Sequence, residues 1–381
     1  MPEPATITPE AAGGFPIHGM MMRYNVFVPR LYNWCLSLGF TPGKIMPSRA
    51  FCSDESQGYP IIMIAKHFGT FPFNHGVVGG IVATDRHAPH AGHGQDMLII
   101  QASHVGYDPE NQVFGTYRRV QTTDMECGSS CGKIQQIISW YQNEYDFARH
   151  NILLHNENGQ KILIVDNQLL RQDRNNSLLL HLDKLIATDA GQLPVPLRVL
   201  STAKVYTPVQ AFIDRMGEAA FNGITPQPIG AGLTADMFYF RRDIPHMNEG
   251  VHHLELNLSS YMPQIVTSDK PNLLAAQITT QIEFDRTFRS IVKEHAYQGK
   301  KVLFIAGLNI DISPRPGQLF PLTKFTPWAA YVQDGDGYYF TLEQAELVQT
   351  LQQQSIDNPD QVDLEEAIYI MASSEEIKIE Q

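Results

Sequence analysis

Short apolar runs recur along the first half of the chain, divided by glycine, proline and polar turns, and they alternate between helical and strand spacing. Residues 24–38 place apolar side chains at helical intervals and predict a helix. A turn at Thr41-Pro42-Gly43 leads into a strand ending near Cys52. Residues 61–68 form a short apolar helix or strand. Residues 76–82, a glycine-interrupted apolar run, read as a buried strand with close backbone packing. Met97-Leu98-Ile99-Ile100 has the length and flanks of another buried strand, and a helix follows from Cys131 to about His150. Two apolar runs flanking Glu157-Asn158-Gly159 predict a hairpin, since Asn-Gly favours the tight turn. Further on, residues 167–188 and 203–220 read as helices, 234–242 and 253–258 as strands, and 273–297 as a long amphipathic helix. Residues 301–312 are the clearest late strand. Residues 329–342 predict an edge hairpin turning at Asp334–Gly337, and 343–354 a last helix before the tail. Strands alternating with helices and then a mixed region give an α/β fold: a mostly parallel sheet with helices on both faces and antiparallel additions.

Composition narrows this picture without changing it. A chain of 381 residues, 43% hydrophobic and 18% charged, can bury a sizeable core. The expected organisation is a poorly ordered Pro- and Gly-rich N-terminus (1–20), a single domain (21–354) and an acidic tail (355–381). The net charge of −12 is concentrated at the end of the chain, where eight acidic residues from Asp357 onward face one lysine, Lys378. The body is therefore only mildly acidic and has no basic stripe, which excludes a nucleic-acid-binding class. No apolar run approaches the 18 or so residues of a membrane helix, so no membrane partner is expected. Four cysteines in a chain this long do not make a disulfide framework, and the first residues carry no secretory signal. Both point to a reducing, cytoplasmic setting with thiols free to bind metal.

The chemistry gathers between residues 95 and 133, with one piece upstream. His104 follows the apolar run, where open α/β sheets place ligands. Cys131 opens a helix, whose N-terminus favours a thiolate, with Ser129 and Ser130 as capping candidates. Cys52 lies at the end of its own strand. Two cysteines and one histidine at element ends make a coherent zinc set, leaving one tetrahedral position for water or a carboxylate. Asp54, two residues past Cys52, is placed either to fill that position or to hydrogen-bond a bound water. Cys127 is the competing ligand, and with Cys131 it could instead form a structural pair or a redox switch. Cys35 has no such company and reads as a small buried hydrophobe. His87, His90 and His93 fall at spacings that Pro89, Gly92 and Gly94 keep off one helix face, so they read as a polar loop, one of them a candidate proton carrier.

Several segments, in order, resemble the limiting-CO2-inducible B/C family, whose active members are theta carbonic anhydrases. They are the Cys-x-Asp-Glu at Cys52–Glu55, LIIQASHVGYD, SSCG, PVPLRVLSTAKVYTPVQAFIDRM, TADMFYFRRDIP and LFIAGLNIDISPRPGQLFPLTKF. The resemblance spans roughly residues 24–325. It implies a fold like that of beta carbonic anhydrases and a zinc site formed by Cys52, His104 and Cys131. It also implies a catalytic aspartate at Asp54 and reversible hydration of CO2 to bicarbonate through zinc-bound hydroxide. A homodimer is the expected assembly, because such sites are often completed across one. Active members pair the aspartate with an arginine shortly downstream, but the segment after Asp54 contains none. Arg86 is therefore assigned as its partner, with Lys66 as second choice and Arg49 as the other arginine within reach. The alternative is a catalytically silent, zinc-stabilised homologue acting as a binding or scaffold protein.

Overall fold

The computed structural model describes residues 13–82, 96–118, 127–171, 173–188, 192–244, 249–315, 318 and 321–374. The chain divides into two compact units, residues 1–133 with 275–381, and residues 134–274.

The first unit is built on one sheet. Its parallel centre consists of β1 (Ile45–Ala50), β2 (Phe73–Asn74), β3 (Asp96–Asp108) and β4 (Val302–Ile312), laid side by side in the order β4-β3-β1-β2. Antiparallel strands extend it: β5 (Leu322–Gln333) against β4, β6 (Tyr339–Leu342) against β5, and the short strand Met22–Arg23 on the far side of β5. Alternation along β3 and β4 sorts the core into two faces. Leu98, Ile100, Ala102, Leu303 and Ile305 pack with α1 (Tyr24–Ser37), α2 (Gly58–Phe68) and α5 (Gln344–Gln353). Met97, Ile99, Val302, Phe304 and Ala306 pack with Phe288 and Ile291 of α4 (Pro271–Lys293). Each fully buried Leu or Ile contributes about 1.5–3 kcal/mol. The mostly parallel sheet with helices on both faces is the architecture read from the sequence. In chain order α3 (Gly132–Asn151) begins directly after Cys131, and α6 (Leu364–Ser373) follows α5.

The second unit carries a five-stranded antiparallel sheet whose centre is the hairpin Ile152–Glu157 with Gln160–Asp166. Asn158 and Gly159 both take positive φ, 53° and 86°, as the two-residue turn requires. Among the described residues of both units, no helix is long and apolar enough to cross a membrane.

The structure corrects several elements. Residues 76–82 are not a strand: they hold one isolated bridge, Gly76 to Val82, and a 3-10 turn at Val78–Gly80. Gly79 and Gly80 turn the chain at φ 71° and 80°, and a Cβ on Gly80 would lie 2.3 Å from the Ala102 carbonyl oxygen. The Leu-rich stretch 167–188 is not one helix but a turn, the strand Ser177–Leu180 and a short helix, because Leu178–Leu180 pair with Phe238–Tyr239–Phe240 across a two-stranded ladder. Residues 203–220 begin as the strand Ala203–Tyr206 before turning helical at Gln210. Residues 253–258 belong to the helix Glu249–Ser259. The helix over 343–354 is not the last, since α6 follows within the acidic tail. Before α6 the tail lies against α1 and α2: the Tyr32 hydroxyl donates to Asp360, Asn358 bonds to His67, and the Val362 amide donates to the Lys66 carbonyl.

Candidate metal centre

Three side chains from three different elements meet at the C-terminal end of the parallel strands. Cys52 lies two residues past β1, His104 stands within β3 rather than beyond its end, and Cys131 immediately precedes α3. All three are buried, His104 completely. One donor atom from each lies within 4.8 Å of the other two. The two sulfurs are 3.9 Å apart, far beyond the ~2.05 Å of a disulfide. A tetrahedral ion about 2.3 Å from each sulfur would hold them about 3.8 Å apart. The spacing therefore suits a shared metal.

The histidine is prepared on its far side. His104 Nδ1 lies 2.8 Å from Asp311 Oδ2, a contact in which the ring N–H donates to the carboxylate. Parallel pairing of β3 with β4 sets this contact, because His104 lies beside Asn309 and Gly106 beside Asp311. Asp311 is wholly buried, and it also accepts from the hydroxyls of Ser56, Ser130 and Thr323 and from the amide of Gln57. With so many donors every lone pair of the buried carboxylate can be satisfied. The proton fixed on Nδ1 leaves Nε2 as the basic nitrogen, and Nε2 is buried with no hydrogen-bond partner. An orphaned imidazole nitrogen beside two thiols fits a zinc ion.

Protons divide the two sulfurs unequally. The hydrogen bond from Cys131 holds the Cys52 thiol down to about 4 against the opposing effect of burial, with His104 and the Gly79 amide helping. The same bond, with burial, pushes Cys131 up to about 12. The contact between the two sulfurs thus lowers one thiol and raises the other, so without metal the pair holds a shared proton. The Gly79 N–H, 3.2 Å from Cys52 Sγ, is aimed there by the glycine turn described above. Burial opposes a charge on His104, yet the bond to Asp311 and the two cysteines together raise its pKa well above the usual value.

The other sequence-assigned residues fall as follows. Asp54 is half-buried, caps the turn Glu55–Gln57, and accepts the Ser56 amide at 3.2 Å. Burial raises its pKa, the charge on His104 opposes the shift, and Glu55 adds to it. Arg86 and the histidines 87, 90 and 93 lie outside the described residues. Lys66 sits in the last turn of the 11-residue α2, about 12 Å of helix from the end that Asp54 precedes. The charge of Arg49 acts on His75. Cys127 is an exposed free thiol that donates to Asp108 at 3.6 Å, and it stands apart from the metal-capable group. Cys35 is buried, as expected of a small hydrophobe. Sequence reasoning missed Asp311, Gln57 and Ser130 as partners of the site. The available signal was the alternation Asn309–Ile310–Asp311, polar residues sharing one face of an otherwise apolar strand.

No family model matches the chain, and no curated protein matches it in sequence. Solved structures do. PtLCIB4, a homolog of the limiting CO2-inducible protein LCIB, superposes with a TM-score of 0.51 at 11% identity, over 85% of this chain and 95% of its own. The limiting CO2-inducible protein LCIB itself covers 86% of this chain and 96% of its own at 12% identity, with a TM-score of 0.45. At such identities the likeness is one of fold. The family resemblance read from the ordered segments is thus matched in the architecture.

Proposed function

On the premise of an LCIB-type fold built around a Cys–His–Cys donor set, we propose that the protein is a zinc-dependent enzyme that hydrates CO2 reversibly to bicarbonate. The reading rests on one observation: two buried cysteine sulfurs beside an imidazole nitrogen that has no partner. Cys52 and Cys131 as thiolates, with neutral His104, would hold the ion and balance its charge. When bound, zinc supplies Lewis acidity and makes water nucleophilic near neutral pH. Asp311 keeps the His104 ring turned and its proton on Nδ1 throughout. Asp54 would accept a hydrogen bond from the attacking water and direct its lone pair at the CO2 carbon. Its burial suits this role, since a carboxylate with raised proton affinity is the stronger acceptor. Arg86 is assigned as the cation that draws Asp54 off the metal position. The CO2/bicarbonate substrate pair, a homodimeric assembly and a cytoplasmic location complete the proposal.

A second reading keeps the metal and drops the turnover: a zinc-stabilised binding or scaffold protein. It is favoured by the neighbour of Asp54, since Glu55 is an acid rather than the cation that a swinging aspartate requires. Stopped-flow CO2 hydration with metal content measured alongside separates the two. About one zinc per chain and zinc-dependent turnover support the enzyme. One zinc per chain with no rate above buffer supports the silent protein. Absence of zinc rejects both.

A further inference from the structure

We propose that Gln57 and Tyr24 are positioning residues for His104, acting through Asn309 and Asp311. The inference rests on the metal reading above and extends it to residues remote from the ion. A single buried line of hydrogen bonds joins the first residue of α1 to the metal-facing ring. The Tyr24 hydroxyl donates to Asn309 Oδ1 at 2.7 Å. Asn309 Nδ2 donates to Gln57 Oε1 at 2.6 Å. Gln57 Nε2 donates to both Asp311 oxygens at 3.2 Å and to the Ser56 hydroxyl at 2.9 Å, and that hydroxyl donates to Asp311 Oδ2 at 2.8 Å. Asp311 then receives His104 Nδ1–H. None of these side chains is more than 5% exposed, so water cannot substitute for a missing link.

The direction of every link is forced from the metal end. A carboxylate only accepts, so Gln57 must present its NH2 to Asp311 and its oxygen to Asn309. Asn309 must answer with its own NH2, which leaves its oxygen facing Tyr24, and the tyrosine must donate. Reversing Gln57 would set its oxygen against the Asp311 carboxylate, and reversing Asn309 would set its oxygen against Gln57 Oε1; either way two acceptors face each other without a proton. The line thus ties the rotamer of Asp311, and with it the direction of His104 Nε2, to α1 and to the turn that opens α2. Partners one step removed from a metal typically change its affinity by about 10–100-fold, and effects fall with distance.

The test measures zinc affinity by competition with a chromogenic chelator, together with the visible spectrum of the Co2+-loaded protein. Gln57→Leu should weaken zinc binding about 10-fold and Tyr24→Phe about 3-fold, both with shifted Co2+ ligand-field bands. Because both act through one line, Tyr24→Phe should cost little more in the Gln57→Leu background, whereas independent packing defects would add. Tyr24→Phe keeps the ring and serves as the mild variant if Gln57→Leu fails to fold. Unchanged zinc affinity and spectrum in a folded variant overturn the proposal alone, as do additive losses in the double variant. A wild-type chain that binds neither ion overturns the metal reading and this proposal together.

Discussion

Asp54 is where turnover and metal binding can be told apart. It precedes the turn Glu55–Gln57 and stands outside the three-donor group, so removing its charge should leave the metal in place. Asp54→Asn is expected to keep about one zinc per chain and to abolish CO2 hydration; full activity in this variant would remove Asp54 from the mechanism. The two cysteines near α3 separate as sharply. Cys131 faces Cys52 at 3.9 Å, whereas Cys127 faces Asp108. Cys131→Ala should empty the site while Cys127→Ala keeps it, read by metal analysis of the purified chains. His75 gives a stability prediction. It is 3% exposed with no partner for either ring nitrogen, and burial, reinforced by Arg49, holds its pKa down to about 3. A histidine whose folded pKa is depressed stabilises the fold above its unfolded value of about 6.5 and loses that contribution as pH falls toward 3. Between pH 7 and 5 this amounts to about 2 kcal/mol. His75→Phe should remove that part of the slope, measured as the difference between the denaturation free energies of variant and wild type at each pH.

At the level of elements, the stretch between α5 and α6 acts as a strap. Asn358 is 2% exposed and bonds to both the ring and the carbonyl of His67. Tyr32 and Asn33 of α1 hold the same stretch through Asp360 and through the carbonyls of Ser355 and Asp357. The stretch 355–362 is therefore no loose appendage: its polar groups bond to two core helices. Asn358→Ala should destabilise the chain by about 1–3 kcal/mol, the cost of a buried imidazole left without its partner. Chemical denaturation of the metal-loaded protein measures it, and zinc content should be unchanged because His67 lies at the opposite end of α2 from Ser56 and Gln57. An unchanged midpoint would mean that the strap contributes nothing.

For the whole molecule, the metal-capable group draws on β1, β3 and the turn before α3, segments separated by tens of residues in the chain. An ion held there bridges contacts that the unfolded chain cannot keep close, so its binding energy becomes folding energy. Chelation should lower the melting temperature of the wild type by several degrees and leave that of Cys131→Ala unmoved. A chelator-insensitive wild type would show that the site, if filled, is not structural.

Patterning alone marked β3 and β4 as buried central strands, because they are apolar on both faces and only a strand covered on both sides needs that. It also determined α1, α4 and the Asn158-Gly159 hairpin, where period or turn chemistry admits one reading. Candidate ligands were legible because cysteine is scarce and Cys52 and Cys131 each lie beside an element end, while His104 follows the apolar run of β3. Tertiary structure decided what local pattern leaves open. Residues 177–180 became a strand because Phe238–Arg241 was there to pair with them, and residues 76–82 became a turn packed so closely on Ala102 that Gly80 has no room for a Cβ. It also brought the two sulfurs to 3.9 Å, close enough to share a proton. Above all it brought Asp311 to His104, since a contact across 207 residues depends on the register of two parallel strands, which the polar positions of one strand alone do not fix.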